Sequence, residues 1–101
     1  MVESEIQKDI LEYLATCPQV VYFFRHNVGR RGYIKFGVPG QSDILGILRG
    51  GRFLAIEVKQ PGEKRKPNQV EFQDTVNKAG GLAFVARSVE DVEKNLKGDK
   101  R

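Results

Sequence analysis

The chain has 101 residues, of which 40% are hydrophobic and 30% charged, and its formal net charge is +4. This composition is typical of a folded domain rather than a disordered segment, and the length allows one modest hydrophobic core. No apolar run reaches the ~18 residues of a membrane span, and the acidic N-terminal segment is unlike a signal peptide, so we expect an intracellular, cytoplasmic protein with no membrane partner.

The first predicted element is a helix over residues 1–16, where apolar residues recur at helical spacing and the helix ends before Pro18. Glu3 shares the apolar face of this helix, whereas Glu5 lies on the opposite face. Cys17 follows the helix and is the only cysteine, which excludes an intrachain disulfide and a cysteine-based zinc site. We interpret it as a small buried apolar residue.

Strands are predicted next. Residues 20–28 are rich in β-branched and aromatic side chains, as is typical of a strand. A glycine-rich loop follows over residues 29–40, and we expect it to be mobile without DNA and to order when DNA binds. Two further strands, 42–48 and 53–59, are joined by a tight turn that contains a Gly-Gly pair.

The remaining elements are a second helix that begins at Pro67, a strand over residues 82–86 and a short helix over residues 89–96. Residues 96–101 are expected to form a frayed tail. The order α-β-β-β-α-β, followed by the short helix, predicts an α/β fold with a central mixed sheet flanked by helices, because the second helix can return the fourth strand to the sheet. Residues 1–101 are therefore predicted to form a single domain.

Positive charge is concentrated in two places. Residues 13–42 contain basic residues and no acid, and a second basic cluster follows the third strand. Such clusters suit a polyanion such as nucleic acid, although charge alone is equally compatible with a solvated surface. The candidate DNA-binding residues are Arg25, Arg30, Arg31, Lys35, Lys64, Arg65 and Lys66.

The predicted hairpin brings two acids to its open end. A two-residue turn would set Asp43 opposite Val58, whereas a bulge or a three-residue turn would set it opposite Glu57. We favour the second register, in its bulged form, because it places both carboxylates on one face and bulges are frequent beside active sites. Adjacent carboxylates repel each other, and a divalent cation such as Mg²⁺ or Mn²⁺ relieves that repulsion.

Three polar residues extend this pair. Lys59 shares a face with Glu57 and could orient an attacking water or stabilise charge on phosphorus, although a structural ion pair with Glu57 or Asp43 is the alternative. Gln69 lies on the apolar face of the second helix, as Glu3 does on the first. Polar groups that point inward from separate helices indicate one shared site.

At these residues the chain resembles a known family. "GVPGQSD", with "EVK" fourteen residues later, resembles the PD-(D/E)xK nuclease superfamily, and specifically the stand-alone, phage-type VRR-NUC domain. The resemblance extends over nearly the whole chain, through "ESEIQ", "KPNQVEFQ" and "GGLAFVARS". It departs at Ser42, which stands where the superfamily name has proline; that proline is a backbone feature and not a ligand.

The resemblance implies a restriction-endonuclease-like core and a Mg²⁺- or Mn²⁺-dependent endodeoxyribonuclease. It implies that Asp43, Glu57 and the backbone carbonyl of Val58 bind the metal and that Lys59 is catalytic. Glu3 and Gln69 would be accessory catalytic residues. No nucleotide cofactor is expected, because the glycines lack phosphate-loop spacing. His26 is the only histidine, which excludes a histidine-pair metal site, and we interpret it as structural.

The resemblance to stand-alone members also predicts the substrate and the assembly. Branched DNA has two equivalent strands to cut, and a C2 homodimer would present two symmetry-related sites to a four-way (Holliday) junction. "VVYFF" offers apolar side chains for a dimer contact. A monomeric nicking enzyme, a flap nuclease and a basic DNA-binding module without catalysis are the alternatives.

Overall fold

The computed structural model describes residues 2–26 and 42–100. The elements in chain order are α1 (Glu3–Leu14), β1 (Val20–Arg25), β2 (Ile44–Leu48), β3 (Arg52–Val58), α2 (Pro67–Lys78), β4 (Leu82–Ala86) and α3 (Val89–Lys97). The predicted order of elements is confirmed. The loop predicted over residues 29–40 lies outside the described residues. Among the helices of the described part, none has the length and apolar character to cross a membrane.

The strands form one mixed sheet in the order β1-β2-β3-β4. β1, β2 and β3 are antiparallel neighbours, and β4 joins β3 in parallel. A parallel neighbour requires a crossover, and α2 provides it, as the sequence predicted. The α/β class with a central mixed sheet flanked by helices is therefore confirmed.

The β2–β3 hairpin has the register in which the two acids face each other. Its pairing ends with Ile44 opposite Ile56, so the next residues outward, Asp43 and Glu57, are also opposite. The hairpin reaches this register through a three-residue turn, whose two glycines have φ angles of 86° and 80° that side chains disfavour. The expected bulge is not in the hairpin; the register shift of the sheet lies in β1, beside Val21.

Two hydrophobic clusters lie on opposite faces of the sheet. α1 and α3 cover one face, where Ile10 and Val92 pack with buried strand residues such as Ile56. α2 covers part of the other face through Val76, which packs with small or branched residues such as Ala55. Because the side chains of a strand alternate between faces, the acids of the hairpin lie on the α2 face.

The C-terminal segment is more ordered than expected. Leu96 is buried in the larger core, and both carboxylate oxygens of Asp99 accept hydrogen bonds from Arg52 in β3, at 2.6 and 3.1 Å. The prediction of a frayed tail over residues 96–101 is wrong at these positions, because Arg52 provides a distant partner that the local sequence does not reveal. Cys17 is a buried free cysteine, as predicted.

Candidate metal centre

Asp43 is fixed by hydrogen bonds to strands on both sides. Its backbone carbonyl accepts a hydrogen bond from the His26 amide at 2.7 Å, at the end of β1. Its Oδ2 atom accepts a hydrogen bond from the Val58 amide at 2.8 Å, at the end of β3. The carboxylate is therefore held against the strand that carries Glu57.

The carboxyl group of Glu57 is buried beside that of Asp43, and Glu57 is only 4% exposed. Burial raises the pKa of Glu57 and the neighbouring Asp43 carboxyl group raises it further, so that the pKa reaches about 8. The charge of Lys59 opposes the rise. Glu57 therefore keeps its proton near neutral pH when no cation is bound.

The Oε1 atom of Glu57 is buried and has no hydrogen-bond partner in the described part of the chain. A buried carboxylate oxygen normally has a hydrogen-bond partner. Because a second carboxylate lies beside this one, a cation would stabilise the pair, whereas a further hydrogen-bond acceptor would not. Mg²⁺ commonly binds through one or two carboxylates together with water and substrate phosphate. The donor set at Asp43 and Glu57 fits such an ion.

The backbone of Val58 has the direction that a third ligand requires. Its amide points towards Asp43, whereas the next amide, that of Lys59, points the other way and donates to Ala86 of β4 at 3.1 Å. The N–H and C=O groups of one strand residue lie on the same side, so the Val58 carbonyl is expected to face Asp43 as well. Residues 2–26 and 42–100 contain no ready cluster of three or more His, Cys, Asp or Glu side chains for a metal ion.

Lys59 is almost completely buried, with 5% exposure, and lies between two acids. Its Nζ atom is 3.9 Å from Oε2 of Glu57 and 3.5 Å from Oε2 of Glu63. The first distance is too long for a hydrogen bond, so the alternative of a structural Lys59–Glu57 ion pair is present only in a loose form. A Lys59–Glu57 ion pair involves only Oε2 of Glu57, so it does not explain why Oε1 is buried without a partner or why Asp43 lies beside it.

Gln69 connects the start of α2 to the acid pair. Its Nε2 donates to Oε2 of Glu57 at 3.2 Å, and its Oε1 accepts a hydrogen bond from the Lys66 amide at 2.8 Å. One oxygen of Glu57 is thus held by an amide that is itself fixed at a helix end. The structure brings Gln69 and Glu57 together, as the spacing in α2 indicated.

Glu3 also belongs to this group of charges. Burial raises the pKa of Glu3, and the negative charges of Asp43 and Glu63 raise it further, while Lys59 lowers it. Glu5 has a different role, because its exposed Oε1 accepts a hydrogen bond from the Val2 amide at 3.1 Å, at the start of α1. Glu3, and not Glu5, is therefore the acid of α1 that faces the site.

Glu63 is a member of the site that the sequence analysis missed. Its carboxylate accepts a hydrogen bond from the Gln60 amide at 3.0 Å, and its own amide donates to the Gln60 carbonyl at 3.1 Å. Gly62, within this turn, has a φ of 85°. The signal was available in the sequence, since Pro61 followed by glycine favours a type II turn that returns Glu63 to the strand end beside Lys59.

The candidate DNA-binding residues do not form one group. Arg25 is exposed on the face of the sheet that α1 covers, and its Nη1 lies 3.5 Å from Oε1 of Gln7. Lys64, Arg65 and Lys66 are exposed in the segment before α2. The other candidates, Arg30, Arg31 and Lys35, lie outside the described residues.

Comparison with known proteins identifies the fold. No family model matches the sequence, and no curated protein matches it. A solved structure described as a "VRR_NUC domain protein" is similar over 96% of this chain and 86% of its own, with a TM-score of 0.72 and 24% identity. Another, described as a "VRR_NUC domain", is similar over 95% of both chains, with a TM-score of 0.67 and 25% identity. The chain therefore has the VRR-NUC fold, the PD-(D/E)xK type of nuclease fold that its sequence resembles.

Proposed function

We propose that the protein is a Mg²⁺- or Mn²⁺-dependent DNA endonuclease. The observation that carries this proposal is the buried carboxyl pair of Asp43 and Glu57, in which proximity and burial raise the pKa of Glu57 to about 8. A pair of acids that is kept buried and adjacent despite its electrostatic repulsion is typical of a functional site. The VRR-NUC fold supports the same conclusion.

Asp43, Glu57 and the Val58 carbonyl would hold the ion. When bound, the ion supplies Lewis-acid stabilisation of the phosphodiester and makes the attacking water more acidic. The ammonium group of Lys59, held between two carboxylates, stabilises negative charge that develops on the phosphate oxygens. Gln69 orients Glu57 by its hydrogen bond.

Glu3 would have a supporting role. Its raised pKa means that it takes up a proton more readily than an ordinary glutamate, and it responds to the charges of both Asp43 and Lys59. A carboxyl group at this position can exchange a proton with solvent or orient a water molecule beside the phosphate.

The favoured substrate is a four-way DNA junction, cut by paired nicks in a homodimer. One side of the sheet supports the dimer. Apolar side chains of β1, β2 and β3 are exposed on the α2 face, namely Tyr22, Phe24, Ile47 and Phe53. A contiguous exposed apolar patch is typical of an interaction surface. A second copy placed by a two-fold axis would give two equivalent sites for the two equivalent strands.

The test is a cleavage assay on radiolabelled duplexes, flaps, forks and four-way junctions in Mg²⁺. Asp43→Ala and Glu57→Ala should each abolish cleavage while retaining the wild-type circular dichroism spectrum. Glu71→Ala removes an exposed acid of α2 and should cut normally. If Glu57→Ala cuts DNA at the wild-type rate, the proposed site is wrong.

A cruciform plasmid tests the paired cuts. The wild-type protein should linearise a supercoiled cruciform within one encounter, and accumulation of nicked circles alone would count against a dimeric resolvase. The contributions of Arg30, Arg31 and Lys35 to DNA binding, and an intracellular location, stay predictions from the sequence.

A further inference from the structure

A polar cavity lies beside α2, lined by residues other than those of the metal centre. It has a volume of about 600 Å³ and is lined by α2, β4 and the segment before α2. Its walls carry the basic side chains of Lys64, Arg65 and Arg87, together with one acid, Asp74. Because the cations outnumber the carboxylate, the cavity favours an anionic ligand.

Gln73 lines this cavity and is only 2% exposed. Its Oε1 accepts a hydrogen bond from Nη1 of Arg65 at 2.6 Å. Its Nε2 is buried and has no hydrogen-bond partner within the ranges that the structure describes. A buried amide donor without an acceptor is uncommon, and here it belongs to a side chain that is hydrogen-bonded to an arginine of the cavity wall.

Arg87, the residue after β4, is also fixed by hydrogen bonds. Its Nη2 donates to the Glu63 carbonyl at 2.6 Å, and its backbone amide donates to Oδ2 of Asp91 at 2.8 Å. A guanidinium group has five N–H donors, so both Arg87 and Arg65 retain donors beyond these bonds. Two anchored guanidinium groups are suited to the oxygens of a phosphate group.

Two independent observations place the cavity next to the metal centre. Gln73 follows Gln69 by four residues of α2, just over one turn and a rise of about 6 Å. Val85, which lines the cavity, is the β4 neighbour of Glu57 in the sheet. A ligand in this cavity is therefore beside the strand that carries the metal-binding acid.

We propose that this cavity binds a backbone phosphate of the DNA, next to the phosphate that is cut. The inference rests on the proposed function, because it takes DNA as the polyanion. Lys64, Arg65 and Arg87 contact the phosphate, and Gln73 is a positioning residue that holds the Arg65 guanidinium. A phosphate contact at this place fixes the strand relative to the acid pair without reading the base sequence.

The test measures the salt dependence of DNA binding in EDTA, so that it does not depend on the metal centre. A fluorescent duplex is titrated with protein at several KCl concentrations. Each lost phosphate contact should reduce the slope of log K against log[salt] by about 0.9. Lys64→Met and Arg65→Met should each show this reduction. The matched controls, Lys78→Met in α2 and Arg49→Met in the hairpin turn, remove exposed charges outside the cavity and should change the slope less.

Gln73→Leu tests the positioning residue without a change of net charge. Loss of the Arg65 contact should flatten the salt slope in this variant, and the duplex should shift the side-chain amide signal of Gln73 in NMR spectra of the wild-type protein. If Gln73→Leu does not fold, the NMR shift and the Lys64→Met comparison still decide the matter. Slopes of Lys64→Met and Arg65→Met equal to those of their controls would overturn the proposal.

Two further outcomes separate this inference from the proposed function. If the wild-type protein cuts DNA in Mg²⁺ while the cavity variants behave like their controls, only the cavity assignment is wrong. If the wild-type protein neither binds nor cuts any DNA, the proposed function itself fails. A shift of the Gln73 amide signal by inorganic phosphate, but not by the duplex, would overturn the assignment to DNA.

Discussion

The Val58 amide donates a hydrogen bond to Oδ2 of Asp43 at 2.8 Å, so the strand that carries Glu57 also fixes the acid opposite it. The two carboxyl groups cannot move apart to relieve their repulsion without breaking this bond. Protonation of Glu57 or binding of a cation relieves it instead, and both alternatives have measurable consequences.

The first consequence is a stability that falls with rising pH when no metal is present. Glu57 has a pKa of about 8 in the folded protein against 4.5 as its ordinary value. Between these values the folded state binds more protons than the unfolded state, so the free energy of unfolding decreases by at most about 1.4 kcal/mol per pH unit. Urea unfolding in EDTA from about pH 5 to about pH 8 measures this decrease.

Glu57→Gln is the matched variant for this experiment, because it keeps the shape of the side chain and cannot ionise. Its stability should vary less over the same pH range, and at about pH 8 it should exceed that of the wild-type protein. Wild-type stability that rises with pH over this range would contradict the raised pKa.

Metal binding should release protons near neutral pH. An ion at Asp43 and Glu57 requires both carboxylates to be ionised, while Glu57 is largely protonated below its pKa of about 8. Calorimetric titration with Mn²⁺ in two buffers of different ionisation enthalpy should give up to about one proton per ion. Glu57→Gln should bind the ion more weakly and release no proton from this site; equal proton release in both proteins would place the metal elsewhere.

Gln69 should affect activity through Glu57. Gln69→Leu removes the amide donor at 3.2 Å and is expected to reduce the cleavage rate by about 10- to 100-fold. It also removes the acceptor for the Lys66 amide, so Gln69→Glu, which retains that acceptor, separates the two roles. Gln69→Glu should keep the thermal stability of α2 but still lose activity. Full activity in Gln69→Glu would show that the residue only caps the helix.

The exposed face of β1 should determine the oligomeric state. Wild-type protein at micromolar concentration should sediment as a dimer of the 11.4 kDa chain. Phe24→Lys places a charge in the apolar patch and should give a monomer that retains its fold, whereas Val2→Lys, at an exposed apolar residue of the N-terminus, should stay dimeric. A wild-type mass near 11.4 kDa would count against the dimer.

The Arg52–Asp99 pair should stabilise the C-terminal segment. Their side chains are only 18% and 15% exposed, and the pair is bidentate. Asp99→Ala should reduce the free energy of unfolding by about 1–3 kcal/mol, because it leaves a largely buried guanidinium without its carboxylate. Lys97→Ala, which removes the more exposed pair with Glu93, should cost less than about 0.5 kcal/mol. Equal losses in urea unfolding would contradict this difference.

The order of the helices and strands could be predicted from the sequence because its signals are local. The helical spacing of Ile6 and Ile10 defined one face of α1, and two apolar runs on either side of a Gly-Gly turn defined the β2–β3 hairpin. The opposition of Asp43 and Glu57 followed from the length of one turn, since each added residue shifts the pairing register. The PD-(D/E)xK pattern could then be recognised in the same short segments.

Only the tertiary structure revealed the contacts that depend on distant segments. Arg52 reaches Asp99, and Arg65 reaches a glutamine that is buried only because α2 packs over β4. The pKa of Glu57 likewise depends on burial and on charges from separate segments, including Glu3 of α1. The physical reason is that local periodicity determines which face of an element a residue occupies, whereas burial and electrostatic energy depend on every group packed against that face, wherever it lies in the chain.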